Sequence, residues 1–244
     1  MAEECMRTRA EPKESYNFVV TGNSSSIITS FDPPLYLLKD RTYELALTNL
    51  ETYYSFPNID KENNTFKYSS DQGHTWHTVE IPTGCYEIYA INAEIIRQVA
   101  TKAITVKPNK NTLQSILIIA SNYVVDFGVN NSLASVLGFN KQKYTSGTHT
   151  SEDIVNILRV NSILVNTDII AGSYLGGKQV PVIFNFFPNV SPGEKIVTSP
   201  INLIYAPITV DVITRMCVWL TDQDYKSLNL RGELLTLRFH LRER

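Results

Sequence analysis

Cysteine is scarce in this chain. Its three copies, Cys5, Cys85 and Cys217, are odd in number, far apart and without a Cys-x-x-Cys pair, which argues against both a disulfide framework and a zinc site and points to a chain kept reduced. Charge of one sign is also scarce. A formal net charge of -2 and a pI near 6.1 supply no polycationic field, so contact with nucleic acid is expected to be weak and local at most. No run of about 18 apolar residues is present, so no membrane-spanning segment is expected. The opening residues, MAEECMRTRAEPKES, place charges where a secretory signal needs an apolar core. A protein made inside the cell and not secreted follows, and the sequons at Asn23, Asn63, Asn130 and Asn189 are then expected to stay unmodified.

Chemistry-bearing residues are thinly spread. His74 and His77 lie three apart, His149 and His240 stand alone, and only Asp71 is near the first pair, whereas a metal site needs three or four converging ligands. No nucleophile elbow and no cluster of carboxylates occurs. The expectation is no enzyme, with no catalytic residue, metal, cofactor or small-molecule substrate.

What is abundant is alternation. In LLTLRFHL, Leu234 to Leu241, the residues Leu235, Leu237, Phe239 and Leu241 alternate with Leu234, Thr236, Arg238 and His240, the period of a strand with one buried face. Tyr43, Leu45 and Leu47 alternate in the same way with Glu44, Ala46 and Thr48 near the other end of the chain. Two such strands so far apart imply non-local pairing of the Greek-key kind. Between them short apolar runs are separated by glycine and proline, with breaks at Gly172, Gly176-Gly177, Pro188, Pro192-Gly193, Pro200, Pro207 and Gly232.

Asp32-Pro33-Pro34 belongs in a crossing loop or on an edge, because proline donates nothing to a ladder. Strands are expected at Ile154–Val160 and Asn202–Tyr205 among others, and the strand at Leu113–Ala120 is expected to be buried on both sides. Helical spacing occurs once clearly, over Ala90–Ala103 with Ile91, Ile95 and Val99 on one face, and Ser132–Leu137 reads as a short helical turn ended by Gly138. The fold class is all-β, a single jelly-roll sandwich over residues 16–244 with one or two short helices in connecting loops, preceded by a flexible arm over residues 1–15.

Two motifs are weighed against simpler readings. Ser69-Ser-Asp71-Gln-Gly73-His-Thr75-Trp76 fits the Asp box of sialidase blades, in which the Asp side chain caps a turn and the Trp packs beneath a hairpin. A single copy describes a hairpin and supplies no active site. Gly172 to Lys178 nearly matches a phosphate-binding loop, but Gln179 stands where Ser or Thr holds magnesium, and a strand containing Pro181 follows where a helix is required. A glycine turn between strands is expected.

Arg238, His240, Arg242 and Arg244, with Arg231 before them, form a basic row that is either a solvated face or a charged seam, between subunits or facing nucleic acid. The aromatic stretches Tyr53-Tyr54-Ser55-Phe56 and Phe184-Asn185-Phe186-Phe187 are either core or anchors of an interface.

The strings YELALTNLETYYSFPNI (Tyr43 to Ile59), the hairpin ending at Trp76 followed by IPTGCYEI (Ile81 to Ile88), SLASVLGF (Ser132 to Phe139), VNILRVNSILVNTDIIAGSY (Val155 to Tyr174), FFPNVSPGEKIV (Phe186 to Val197) and NLRGELLTLRFHL (Asn229 to Leu241) resemble the small capsid protein of Maverick/Polinton elements and their adintovirus relatives. The resemblance runs in order from about Tyr16 to Leu241. It implies a penton subunit, a single jelly-roll minor capsid protein that forms homopentamers at the vertices of an icosahedral virion beside a hexon-like, double-jelly-roll major capsid protein. The length agrees, since 244 residues are too few for two such cores. A trimeric or ligand-binding attachment module of the same fold is the alternative, because sandwiches host many functions.

Overall fold

A computed structural model describes residues 13–244. The arm expected over residues 1–15 lies outside the described residues except for its end. There, Ser15 opens a strand, the Glu14 N–H donates to Glu243 Oε2 at 3.2 Å and the Glu243 N–H donates to the Glu14 carbonyl at 2.9 Å. Residue contacts divide the chain into two compact units, one running to Tyr54 and resuming at Ser162, the other comprising Ser55–Asn161.

The first unit holds eight principal strands: β1 (Ser15–Gly22), β2 (Ser26–Tyr36), β3 (Tyr43–Tyr53), β4 (Ile163–Thr167), β5 (Val182–Phe186), β6 (Lys195–Thr198), β7 (Val212–Thr221) and β8 (Leu235–Glu243). They form two antiparallel four-strand layers in the orders β1-β8-β3-β6 and β5-β4-β7-β2, the interleaving of a jelly roll. The two strands singled out in the sequence are neighbours, with Leu241 opposite Leu45 and Leu237 opposite Leu50. Alternation dictates which face is buried. Leu235, Leu237, Phe239 and Leu241 are all buried, and Phe18 of β1 stacks on Phe239 and meets Phe31 of β2 edge to face at 5.3 Å.

Phase slips in the alternation have local causes. In β3 the buried set passes from Leu45 and Leu47 to Leu50 and Thr52 because the register shifts opposite Arg238/Phe239, leaving Thr48 as an extra residue whose hydroxyl donates to the Arg238 carbonyl at 3.1 Å. Such a bulge moves every later side chain to the other face. In β2, residues 31–34 have no ladder partners and pairing resumes at Leu35. The Asp32-Pro33-Pro34 step therefore sits on the edge strand of its layer, where a missing N–H leaves no ladder bond unmade.

The second unit is more local. The hairpin Thr65–Ser69 with His77–Glu80 extends through Val124–Asp126 and Lys143–Tyr144, and Gly147–Thr150, Gln114–Ile119 and Ile104–Asn109 form a second small sheet. Helix Ile88–Val99 buries Ile88, Ile91, Ile95 and Val99 in a core shared with Phe66, Leu117 and Phe127. It stops before Ala103 because Ala100 turns left-handed and the β-branched run from Ile104 enters a strand. Asn92 Oδ1 accepts from the Val106 N–H at 2.8 Å, tying helix to strand. The short helix Ala134–Leu137 ends at Gly138, φ +80°.

Three expected strands differ. Ile154–Val160 forms no ladder; the Val155 N–H donates to the Leu113 carbonyl and the Asn156 N–H to that of Val136, partners that do not form one neighbouring strand. Asn202–Tyr205 is irregular, and Ala206–Pro207 pairs instead with Leu45 and Glu44. Gln114–Ile119 is buried on one face only, at Ser115, Leu117 and Ile119, since its continuous apolar run hides an alternation of fully and half-buried positions.

Candidate functional site

The Asp-box sequence builds a turn. The Ser69 hydroxyl lies 2.6 Å from Asp71 Oδ1 and accepts from the Gly73 N–H at 2.8 Å, while Asp71 Oδ1 also accepts from the Thr75 N–H at 2.8 Å. The donated hydroxyl, followed by the Thr75 N–H, holds the Asp71 carboxyl well below the usual range. Trp76 lies half-buried beneath, with the Lys143 ammonium 4.8 Å from its ring centroid. The Ser69 hydroxyl and the Asp71 carboxylate are spent on the turn itself, while Gln72 ties it to Asn122 through its side chain at 3.0 Å and its N–H at 2.9 Å.

The Gly172–Lys178 stretch is likewise a hairpin. Ser173–Leu175 pairs with Lys178–Val180, and Gly176 and Gly177 at φ +55° and +80° take the left-handed angles that a two-residue turn demands.

The histidines are not brought together. His77 packs on Tyr68, His149 Nε2 lies 2.7 Å from the Thr145 carbonyl, and His240 is clasped by Ser15 Oγ and Tyr205 Oη, each at 2.7 Å. Among the described residues no group of three or more His, Cys, Asp or Glu is placed to hold a metal ion. Cys85 and Cys217 are free thiols, and the Cys85 thiol donates to the Phe56 carbonyl at 3.1 Å. No helix among the described residues is long and apolar enough to cross a membrane.

The basic row on β8 has partners on β3. Arg242 lies 2.6 Å from Glu44 and 3.8 Å from Glu51 is Arg238, while Lys195 of β6 also binds Glu51 at 2.7 Å. The Arg242 guanidinium stacks 3.5 Å from the Tyr205 ring centroid. Lys195 and, more weakly, Arg238 hold the Glu51 carboxyl below its ordinary value. Within the row, Arg238 and Arg242 form cross-strand ion pairs on an exposed sheet face.

The aromatic stretches divide residue by residue. Tyr54, Phe56 and Phe186 are buried, whereas Tyr53 and Phe187 are exposed, Phe187 at 68%. Near Phe187 in the first unit a groove of about 390 Å³ is walled by Tyr174, Leu175, Phe184 and Ile204 and reaches Leu47 of one layer and Leu164 of the other. Ile201 is wholly exposed and Ile204 at 76%. The sequence reading did not single out this loop, yet it carries a signal. Ile201, Leu203 and Ile204 sit between Pro200 and Pro207 with no charged residue among them, a composition unusual for a solvated loop. The second unit has its own apolar groove, of about 510 Å³, with Ile88, Leu113, Ile154 and Leu158 in its lining.

No protein-family model matches the chain, and no curated protein sequence matches it. Among solved structures, the crystal structure of the selenomethionine-labelled mavirus penton protein is similar with a TM-score of 0.50 at 10% sequence identity, the match covering 96% of this chain and 100% of that one. The likeness extends over both compact units and establishes a shared fold, a jelly roll of the penton kind.

Proposed function

We propose that this chain is a structural capsid protein, a penton subunit that assembles as a homopentamer at the vertices of an icosahedral virion and carries no catalytic role. The observation that supports this most is the whole-length fold likeness to a penton protein, which takes in the sandwich and the unit spliced into it. A sandwich alone is shared by proteins of many functions, so the coverage of the insertion as well gives the likeness its weight. The sequence resemblance to the small capsid protein of Maverick/Polinton elements points the same way, and it brings the hexon-like, double-jelly-roll major capsid protein as the expected neighbour in the shell.

The motifs that raised enzymatic readings are occupied by their own turns, and the surface instead offers apolar side chains. A ring of five copies needs one head-to-tail interface repeated until it closes, and apolar and aromatic side chains are what the centre of such an interface uses. Native mass spectrometry of the purified chain tests the reading. A species of five times the 27.6 kDa chain mass is expected. A trimer would favour an attachment module instead, and a chain that stays monomeric at every concentration would remove the vertex role.

A further inference from the structure

A ring closes only when two different patches, on opposite sides of the subunit, fit each other. The layer β5-β4-β7-β2 has its free edges at β5 and β2, and both carry apolar residues that the chain itself leaves uncovered. Beside β5 lies the groove between the glycine hairpin and the 200–204 loop, with Tyr174 exposed at 69%. On β2, Ile28 is exposed at 64% and Tyr36 at 69%, and Val212, directly opposite Tyr36 in the ladder, is exposed as well.

We infer that the occupant of the groove is a second copy of this chain, presented by its β2 edge, with Tyr36 as the side chain that enters. This rests on the penton reading and names the surfaces that reading requires. Charge supports the match. Lys178, opposite Leu175 of the groove wall in the hairpin, is the one charged residue between Gly172 and Phe187, and residues 199–205 contain none. Around Tyr36 stand Asp32, Asp40 and Asp211 with Lys39, Arg41 and Arg215, and since Arg41 is already paired with Glu243 the remaining charges there are negative in balance. Among the described residues, Lys178, Asp32, Asp40 and Asp211 make no ion pair. Shape supports it too. The groove is a recess that reaches the sandwich interior, and the β2 edge offers an exposed ring, Tyr36, so a side chain of one can fill the space left by the other. Apolar side chains left this exposed beside a recess are the usual mark of an interaction surface, and an aromatic ring in a pocket is the usual form of an interface anchor.

The test uses two full-length variants, Tyr174→Asp with Ile204→Asp on the groove side and Ile28→Asp with Tyr36→Asp on the edge side. All four positions are exposed, so both variants are expected to melt within a few degrees of the parent. Native mass spectrometry is expected to show each variant alone as a monomer and the equimolar mixture as a one-to-one dimer and nothing larger, because only one intact seam remains between the two. A parent pentamer with either variant still pentameric would overturn the seam while leaving the penton reading in place, as would a mixture that stays monomeric or regains the full ring. A parent that never assembles would overturn both. Should a double variant lose its melting transition, Tyr174→Ser and Tyr36→Ser replace the pairs, each expected to raise the concentration for half-assembly at least tenfold; no change would overturn the seam.

Discussion

The two compact units solve the problem of burying apolar surface in opposite ways. In the sandwich every central pairing is long-range. Its middle ladder joins β3 to β8 across nearly the whole chain, and β1 closes on the same β8. In the unit spanning Ser55–Asn161 the strands pair mostly with near neighbours, Thr65–Ser69 with His77–Glu80 and Ile104–Asn109 with Gln114–Ile119, and one helix supplies an apolar stripe. Non-local ladders demand that loop entropy be overcome before contacts reward it, so the sandwich is expected to unfold as one cooperative body. The local unit is suited to open and close by itself. The difference gives a reason for a long insertion being tolerated between β3 and β4, since a unit with its own core asks nothing further of its host.

The largest effects should separate the two cores. Phe239 is buried at the centre of the sandwich and Phe127 in the other core, against Phe66, Phe139 and Tyr144. Phe239→Ala and Phe127→Ala are each expected to cost about 3–5 kcal/mol. Hydrogen exchange read by mass spectrometry should show faster exchange confined to the unit carrying the change. Both units responding to either substitution would break the comparison.

Next is Gly138→Ala. The left-handed φ and the Asp153 carbonyl, 2.3 Å from where a Cβ would stand, predict a loss of about 1–3 kcal/mol from the strained backbone, with further loss from the clash, in the Ser55–Asn161 unit alone by the same measurement.

An alkaline pH dependence should be strongest in the sandwich, although burial also raises Tyr144 in the other unit. Tyr43 is buried, donates its hydroxyl to the Glu14 carboxylate and accepts from the Leu38 N–H; burial first and the Glu14 bond second push its pKa up to about 12. Its folded value lies above the ordinary 10.0, so the stability it contributes is complete below pH 10 and is lost as pH rises from there toward 12. Melting curves between pH 9 and 12 should fall steeply for the parent and less steeply for Tyr43→Phe. Equal slopes would remove Tyr43 from the account.

The smallest effect is expected on the exposed face of the same layer. Arg238 and Arg242 are about half exposed, and such pairs contribute little. Replacing both with Gln should leave melting temperature and assembly nearly unchanged by calorimetry and native mass. Loss of assembly would favour the inter-subunit reading of the row over the solvated one.

Much of the fold was legible because it followed from period alone. The buried face of β8 and its distant partner β3 were visible in Leu235 to Leu241 and in Tyr43 to Leu47, and the helix was visible in Ile91, Ile95 and Val99. The slips at Thr48 and at Pro33-Pro34 could be suspected only from broken alternation, because a bulge is fixed by the partner strand. The boundaries of the two compact units, after Tyr54 and Asn161, carry no run of glycine, proline or charge, so nothing in the local sequence marks them. In Phe184 to Phe187, rings two apart share a side of the strand, but nothing in the string says that Phe186 is covered and Phe187 bare. Burial there depends on the facing layer, which the local sequence does not contain. The groove was missed for the same reason, since the loop at 200–204 and the hairpin at 173–180 meet only in three dimensions.

Images of the purified chain by electron microscopy test the central claim most directly. Class averages viewed down the ring axis are expected to show five-fold symmetry with five sandwiches in contact. Three-fold averages, or a field of single particles of one chain, would contradict a jelly roll built to close a vertex.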